Sequence, residues 1–344
     1  MMSNREHILH TMLFATLTVA MAALALGGLL VGTTQVPLAD VWAALTGGDV
    51  AAGVSTIVLR MRLPKVLVAI AAGAALSASG LQMQTLFRNP LAGPYVLGIN
   101  SGASLGVALF TMAMPMLGMG SASFVMSFGL TGMAWIGSAA ILMLVMWLSR
   151  KIKNINTILI IGMMLGSAIS AIVGILQYMG TDESLKAFIV WTMGSLSTVT
   201  VEQLYILLPI VVVGLLLSVV AIKPLNMLLL GENYARTMGL RVMRSRVIIF
   251  LSTTLLAGTV TAFCGPVGFI GLAMPHLARM TFRTADHRVL MPAAMLWGAV
   301  SMLVCSLLCD VVARSGVMLP VNTITSLLGV PIIIYVVIRN RNRQ

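Results

Sequence analysis

Charge is what this chain lacks. Only 9% of its residues are Asp, Glu, Lys or Arg, and none of the 61 residues between Arg88 and Arg150 is charged, whereas soluble domains run at roughly 25%. A soluble core cannot use such a run, but a bilayer demands it. A helix crossing ~30 Å of hydrocarbon needs about 20 apolar residues, with every backbone group satisfied inside the helix. The run is too long for one crossing and must turn back. Acidic residues are scarcest, nine against 21 basic. In an apolar chain that excess reads as orientation, because Lys and Arg gather on the cytoplasmic side. No basic patch interleaved with aromatics points to nucleic acid. Cysteine is also sparse: Cys264, Cys305 and Cys309 lie in apolar runs, give no disulfide framework or metal site, and read as packing. No G-x-x-x-x-G-K-[ST] phosphate loop occurs, so any ATP chemistry would belong to a partner. There is no HExxH, and no paired carboxylates stand within the apolar spans, so no catalytic residue is assigned and an intramembrane enzyme is disfavoured.

What is present is hydrophobic, 59% of residues at a mean hydropathy of +1.03. Ten spans are expected, at roughly 8–31, 57–80, 94–114, 121–148, 157–180, 201–222, 246–264, 267–282, 291–313 and 322–338. The eighth is short, and reads as tilted or broken. The first is longer than a signal-peptide core and reads as an uncleaved helix. Residues 35–55 form a polar loop with a short amphipathic piece, Pro115, Gly118, Gly120 and Ser121 mark a turn, and 184–195 form a short helix beside the membrane. Ten spans put both termini on one side. With the termini inside, sixteen of the 21 basic residues are cytoplasmic, as the positive-inside rule requires.

The exceptions carry information. Arg60, Arg62 and Lys65 cluster at the outer mouth of the second span, and Arg314 ends the ninth. Such a cationic group fits acidic groups of a docking protein or an anionic substrate, or else lipid headgroups. Asp310, four residues before Arg314, is placed to hold it. Gly162, Gly166, Ser170 and Gly174 recur every four residues in the fifth span. This ribbon serves either close helix packing or a path for bulky cargo. Between spans six and seven, about 225–245, Glu232, Ala235 and Gly239 precede Arg241, Arg244 and Arg246. Glu232 suits a helix start and Gly239 a sharp stop, so a short helix–turn–helix is expected, to engage either a partner or anionic lipid. His276 follows Pro275 and reads as structural before it reads as a relay or haem ligand. The 27 Met residues are scattered, as packing residues are.

Several motifs then converge: Arg62–Lys65 (RLPK), Gly73–Gly98 (GAALSASGLQMQTLFRNPLAGPYVLG), Gly231–Leu240 (GENYARTMGL), Gly265–Arg279 (GPVGFIGLAMPHLAR), Asp286–Arg288 (DHR) and Leu319–Pro331 (LPVNTITSLLGVP). In order and spacing the chain resembles the permease subunits of iron-chelate and cobalamin ATP-binding-cassette importers, the FecCD family, over nearly its whole length. The resemblance implies an all-α polytopic membrane protein of about ten helices with the type II importer fold, one permease domain over 1–344. It implies a bacterial inner-membrane homodimer served by two cytoplasmic ATPases and a periplasmic or surface-anchored binding protein. The cargo class is a ferric siderophore, haem or cobalamin, and the chain itself holds no cofactor. By residue match, Arg62, Lys65 and Arg314, with Arg60 beside them, are the docking cations. Lys65 replaces a usual Arg and loses the bidentate fork. Glu232, Ala235, Arg236, Gly239 and Leu240 match the coupling segment. The fifth span lines the path, and Asn154 and Asn156, after Lys153, fall in the region of the cytoplasmic gate. The alternative is an ion-coupled secondary transporter, which needs acids near the midplane; Asp310 alone comes close, toward an outer end.

Overall fold

The computed structural model describes residues 4–114, 123–152 and 154–341, and among them all regular structure is helical. The turn expected at Pro115–Ser121 and the residue Lys153 lie outside the described residues. In chain order the helices are α1 (Asn4–Leu30), α2 (Leu38–Thr46), α3 (Ala52–Leu86), α4 (Ile99–Ala113), α5 (Ser123–Lys151), α6 (Ile155–Met179) and α7 (Asp182–Met193). Then come α8 (Val201–Val220), α9 (Ile222–Leu229), α10 (Glu232–Thr237), α11 (Val242–Cys264), α12 (Ile270–Phe282), α13 (His287–Ala313) and α14 (Val321–Arg341). Each expected span falls on a helix. Among the described residues seven helices are long and apolar enough to cross a bilayer, and α4 and α14 carry shorter apolar segments. The helix α12, with 13 residues, rises only about 20 Å, less than the hydrocarbon thickness. The amphipathic piece and the helix beside the membrane are α2 and α7. α7 is capped by Thr181, whose hydroxyl accepts from the Ser184 amide.

The chain forms two compact units. The first comprises Met1–Ala78, Ser195–Pro209 and Gly268–Gln344. In it α1 packs on α12 and α13, and α12 on α13 and α14. The rings of Phe14 and Phe282 lie 4.7 Å apart. Backbones of α3 and α13 meet at two glycines: a Cβ on Gly73 would stand 2.2 Å from the Gly298 carbonyl oxygen, and one on Gly298 would stand 2.1 Å from that of Gly73. Without a hydrophobic force between helices in lipid, such small-residue contact is what holds them.

The second unit comprises Ser79–Gly194 and Ile210–Val267. Here α4 packs on α5 and α6, and α11 packs on α5. Gly102 and Gly106 on α4 let the α5 backbone approach at Gly137 and Met133. The C-terminal half of α3 carries Gln82, Gln84 and Thr85, all buried, because lipid would leave their polar groups unsatisfied. Gln82 Nε2 donates to Ser218 Oγ at 2.8 Å and Ser252 Oγ at 3.1 Å, and both serines donate to the Gly214 carbonyl. This polar seam joins three helices. Beyond α3 the Asn89 side chain accepts from the Leu91 amide at 2.9 Å, turning the chain at Asn89–Pro90.

Candidate functional site

Three groups of residues were singled out, and each resolves differently. The cations stand at the start of α3, where Ile57–Arg62 form a wider i→i+5 turn, and at the end of α13. Arg62 is only 7% exposed. Its Nη1 donates to the carbonyls of Leu29 at 2.7 Å and Leu30 at 3.1 Å, and its Nη2 to that of Thr34. Carbonyls at a helix end lack intrahelical partners and carry the negative end of the dipole. Arg62 therefore caps α1. Gly32 clears room for it, since a Cβ there would meet Nη2 at 2.8 Å. Arg314 Nε donates to the Gly32 carbonyl at 3.0 Å. Lys65 Nζ pairs with Asp310 Oδ1 at 2.5 Å. The expected Asp310–Arg314 pair is thus corrected: Arg314 lies past the last turn of α13 and turns its Nε to Gly32, leaving Asp310 to Lys65. Arg62 is buried and Lys65 largely so, both committed to their own chain, while Arg60 and Arg314 remain exposed.

At the other site, α9, α10 and the start of α11 form the expected helix–turn–helix. Gly239 adopts φ +83°. The Gly239 amide donates to the Arg236 carbonyl and the Leu240 amide to the Ala235 carbonyl, both at 2.9 Å, the double closure that ends a helix on a left-handed glycine. Glu232 opens α10 and is held by Arg246, whose Nη2 lies 2.5 Å and Nε 3.2 Å from Glu232 Oε1. Arg236 stands 3.8 Å from Glu232 Oε2. Ala235 is fully buried and packs α10 onto its own unit. Ala235, Gly239 and Leu240 build the turn. The presented surface is Tyr234, 54% exposed, and Met238, 52% exposed, with Arg236 beside them. Tyr234 and Met238, four apart, were missed; large apolar side chains in a polar helical segment were the available signal. Arg88, at φ +50°, directs Nη2 to the Leu229 carbonyl at 3.5 Å.

The ribbon of α6 divides along its length. A Cβ on Gly162 would stand 2.8 Å from the Val96 carbonyl oxygen, and one on Gly166 3.3 Å from Ser101 Oγ, so these two serve packing. Gly174 has nothing within 4 Å, and Ser170, bonded back to the Gly166 carbonyl, is exposed with it. Asn154 caps α6, its Oδ1 accepting from the Asn156 amide at 2.9 Å; both asparagines are exposed. His276 and the three cysteines are buried. Among the described residues no group of three or more His, Cys, Asp or Glu is placed to hold a metal ion.

The FecCD transport family model matches residues 17–339. The chain belongs to the FecCD transport family. It is 35% identical over 333 residues to a hemin transport system permease protein of Yersinia pestis, covering 95% of this chain and 96% of that one. It is 36% identical over 290 residues to a vitamin B12 import system permease protein of Klebsiella pneumoniae, covering 83% of each. A solved structure, described as an inward-facing conformation of a transporter assigned to the metal-chelate ABC type, superposes with a TM-score of 0.80 at 30% identity, covering 95% of this chain and 98% of that chain. Within this family the chain is a transport subunit, and ATP hydrolysis lies in a separate one.

Proposed function

We propose that this FecCD permease carries a large metal chelate, in the class of haem, cobalamin or a ferric siderophore, across the bacterial inner membrane as a homodimer with both termini in the cytoplasm. The observation that carries this is the exposed Tyr234–Arg236–Met238 face, presented by a short helix braced from beneath through Glu232 and Arg246, in a chain with no phosphate loop of its own. Such a braced face suits a partner that pushes. Relatives over 95% and 83% of the chain are a hemin and a vitamin B12 permease, which supports the cargo class.

The mechanism follows from the arrangement. A loaded binding protein docks on the outer side, where exposed Arg60 and Arg314 meet its acidic groups; Arg62 and Lys65 hold the platform beneath them. Two cytoplasmic ATPases, with ATP and Mg, seat against α10 and move it. Cargo passes along the exposed side of α6, where Ser170 and Gly174 leave room, and the gate near Asn154 and Asn156 opens inward. No bond in the cargo is made or broken by this chain. The ion-coupled alternative loses its best acid, since Asp310 is held by Lys65.

The test is affinity capture from the native membrane in mild detergent, with cross-linking to count copies. Recovery of a cassette ATPase at one per permease chain, on a cross-linked permease pair, is expected. A folded chain that repeatedly purifies alone, without ATPase activity, overturns the proposal.

A further inference from the structure

Arg246 does more than neutralise Glu232. Its side chain is 3% exposed. One guanidinium edge, Nε and Nη2, takes Glu232 Oε1 on α10. The remaining nitrogen, Nη1, donates to the Ile152 carbonyl at 3.3 Å. Ile152 follows the last residue of α5 and stands two residues before Asn154, the cap of α6. One rigid fork thus joins three pieces of chain: the partner-facing helix, the base of α11, and Ile152 just past α5. A planar guanidinium holds such partners at fixed angles, whereas a lysine ammonium is a point charge on a flexible stem. The Ile152 carbonyl, at a helix end, otherwise lacks a helical partner. Glu232 is about one-fifth exposed, so its carboxylate links the buried fork to the surface that Tyr234 and Met238 present.

We infer that Arg246 is a positioning residue that transmits displacement of α10 to Ile152 at the end of α5, so that the stroke of the partner moves α10 and the end of α5 together. The inference rests on the permease function proposed above. Breaking the fork then leaves the partner seated while the stroke is lost between α10 and Ile152. A merely structural staple would instead change stability and leave coupling alone.

The test uses the complete importer, this chain with its ATPase and binding protein, in proteoliposomes. Arg246→Lys retains the charge opposite Glu232 and gives up the fork; Glu232→Gln retains an acceptor oxygen and gives up the charge. ATP hydrolysis and cargo uptake are measured together. Spin labels at Thr237→Cys and Lys151→Cys report the distance between α10 and the end of α5 with and without ATP. With wild type, ATP is expected to change that distance. In both variants uptake per ATP is expected to fall about tenfold, the scale of a typical coupling free energy, with ATPase recovery unchanged and the distance no longer responding to ATP. Uptake per ATP within about twofold of wild type, in whichever variant folds, overturns the inference and leaves the permease function standing. A wild-type chain that recruits no ATPase overturns both.

Discussion

Lys65 and Asp310 make a pair that distinguishes scaffold from docking surface. Their side chains are 13% and 18% exposed, with Nζ and Oδ1 2.5 Å apart. At an effective dielectric near 20 the attraction is about 4–7 kcal/mol before desolvation of both groups is subtracted. Replacing such a pair by apolar residues of similar volume is close to neutral, whereas removing one partner strands the other at about 3–5 kcal/mol when burial is complete. Partial exposure lowers that cost here to about 2–3 kcal/mol. Asp310→Leu and Lys65→Met are therefore expected to lose about 2–3 kcal/mol each, and Lys65→Met/Asp310→Leu to lie within about 1 kcal/mol of wild type. The double-mutant cycle is read from SDS-driven unfolding in mixed micelles, with uptake measured in parallel. The double variant is expected to transport normally, as the platform role proposed for Lys65 requires. Additive single effects within about 0.5 kcal/mol would show no coupling and sink the pairing. Lost uptake by a stable double variant would make Lys65 itself a docking cation.

Arg60→Glu is expected to leave folding intact and slow association of the binding protein about tenfold at low salt, a loss that shrinks as salt is raised; surface plasmon resonance on nanodisc-held permease checks it, and an unchanged rate removes Arg60 from the docking surface. Met238→Glu is expected to cost about 2 kcal/mol of ATPase affinity, the scale of an interface anchor, with thermal stability unchanged; full ATPase retention in pull-down contradicts the assignment of that face. Gly298→Ala meets the Gly73 carbonyl and should destabilise by about 1–3 kcal/mol. Gly174→Leu, where space is open, should leave stability alone yet reduce uptake; normal uptake would take Gly174 off the path.

Much of this protein follows from sequence because lipid enforces it. Backbone groups cannot be left unsatisfied in hydrocarbon, so the apolar runs had to be helices, and each expected span lies on one. Gly239 was legible as a stop because a left-handed turn needs it, and Asn89–Pro90 as a break. The sequence also determined that the chemistry of ATP lies elsewhere. What tertiary structure alone decided is how each polar residue is used. Arg60 and Arg62 look equivalent in the chain, yet one is exposed and the other caps α1, a helix end some thirty residues earlier. Asp310 chose Lys65 over Arg314, four residues away on its own helix. Gly162 and Gly174 share a spacing, but only Gly162 has a backbone pressed against it. Ala235 went inward while Tyr234 beside it stayed out. Local periodicity reports that a helix exists and where it stops. The partner of a charge, or the neighbour of a glycine, depends on which distant segment packs there, and that is settled only when buried donors and carbonyls find one another across the fold.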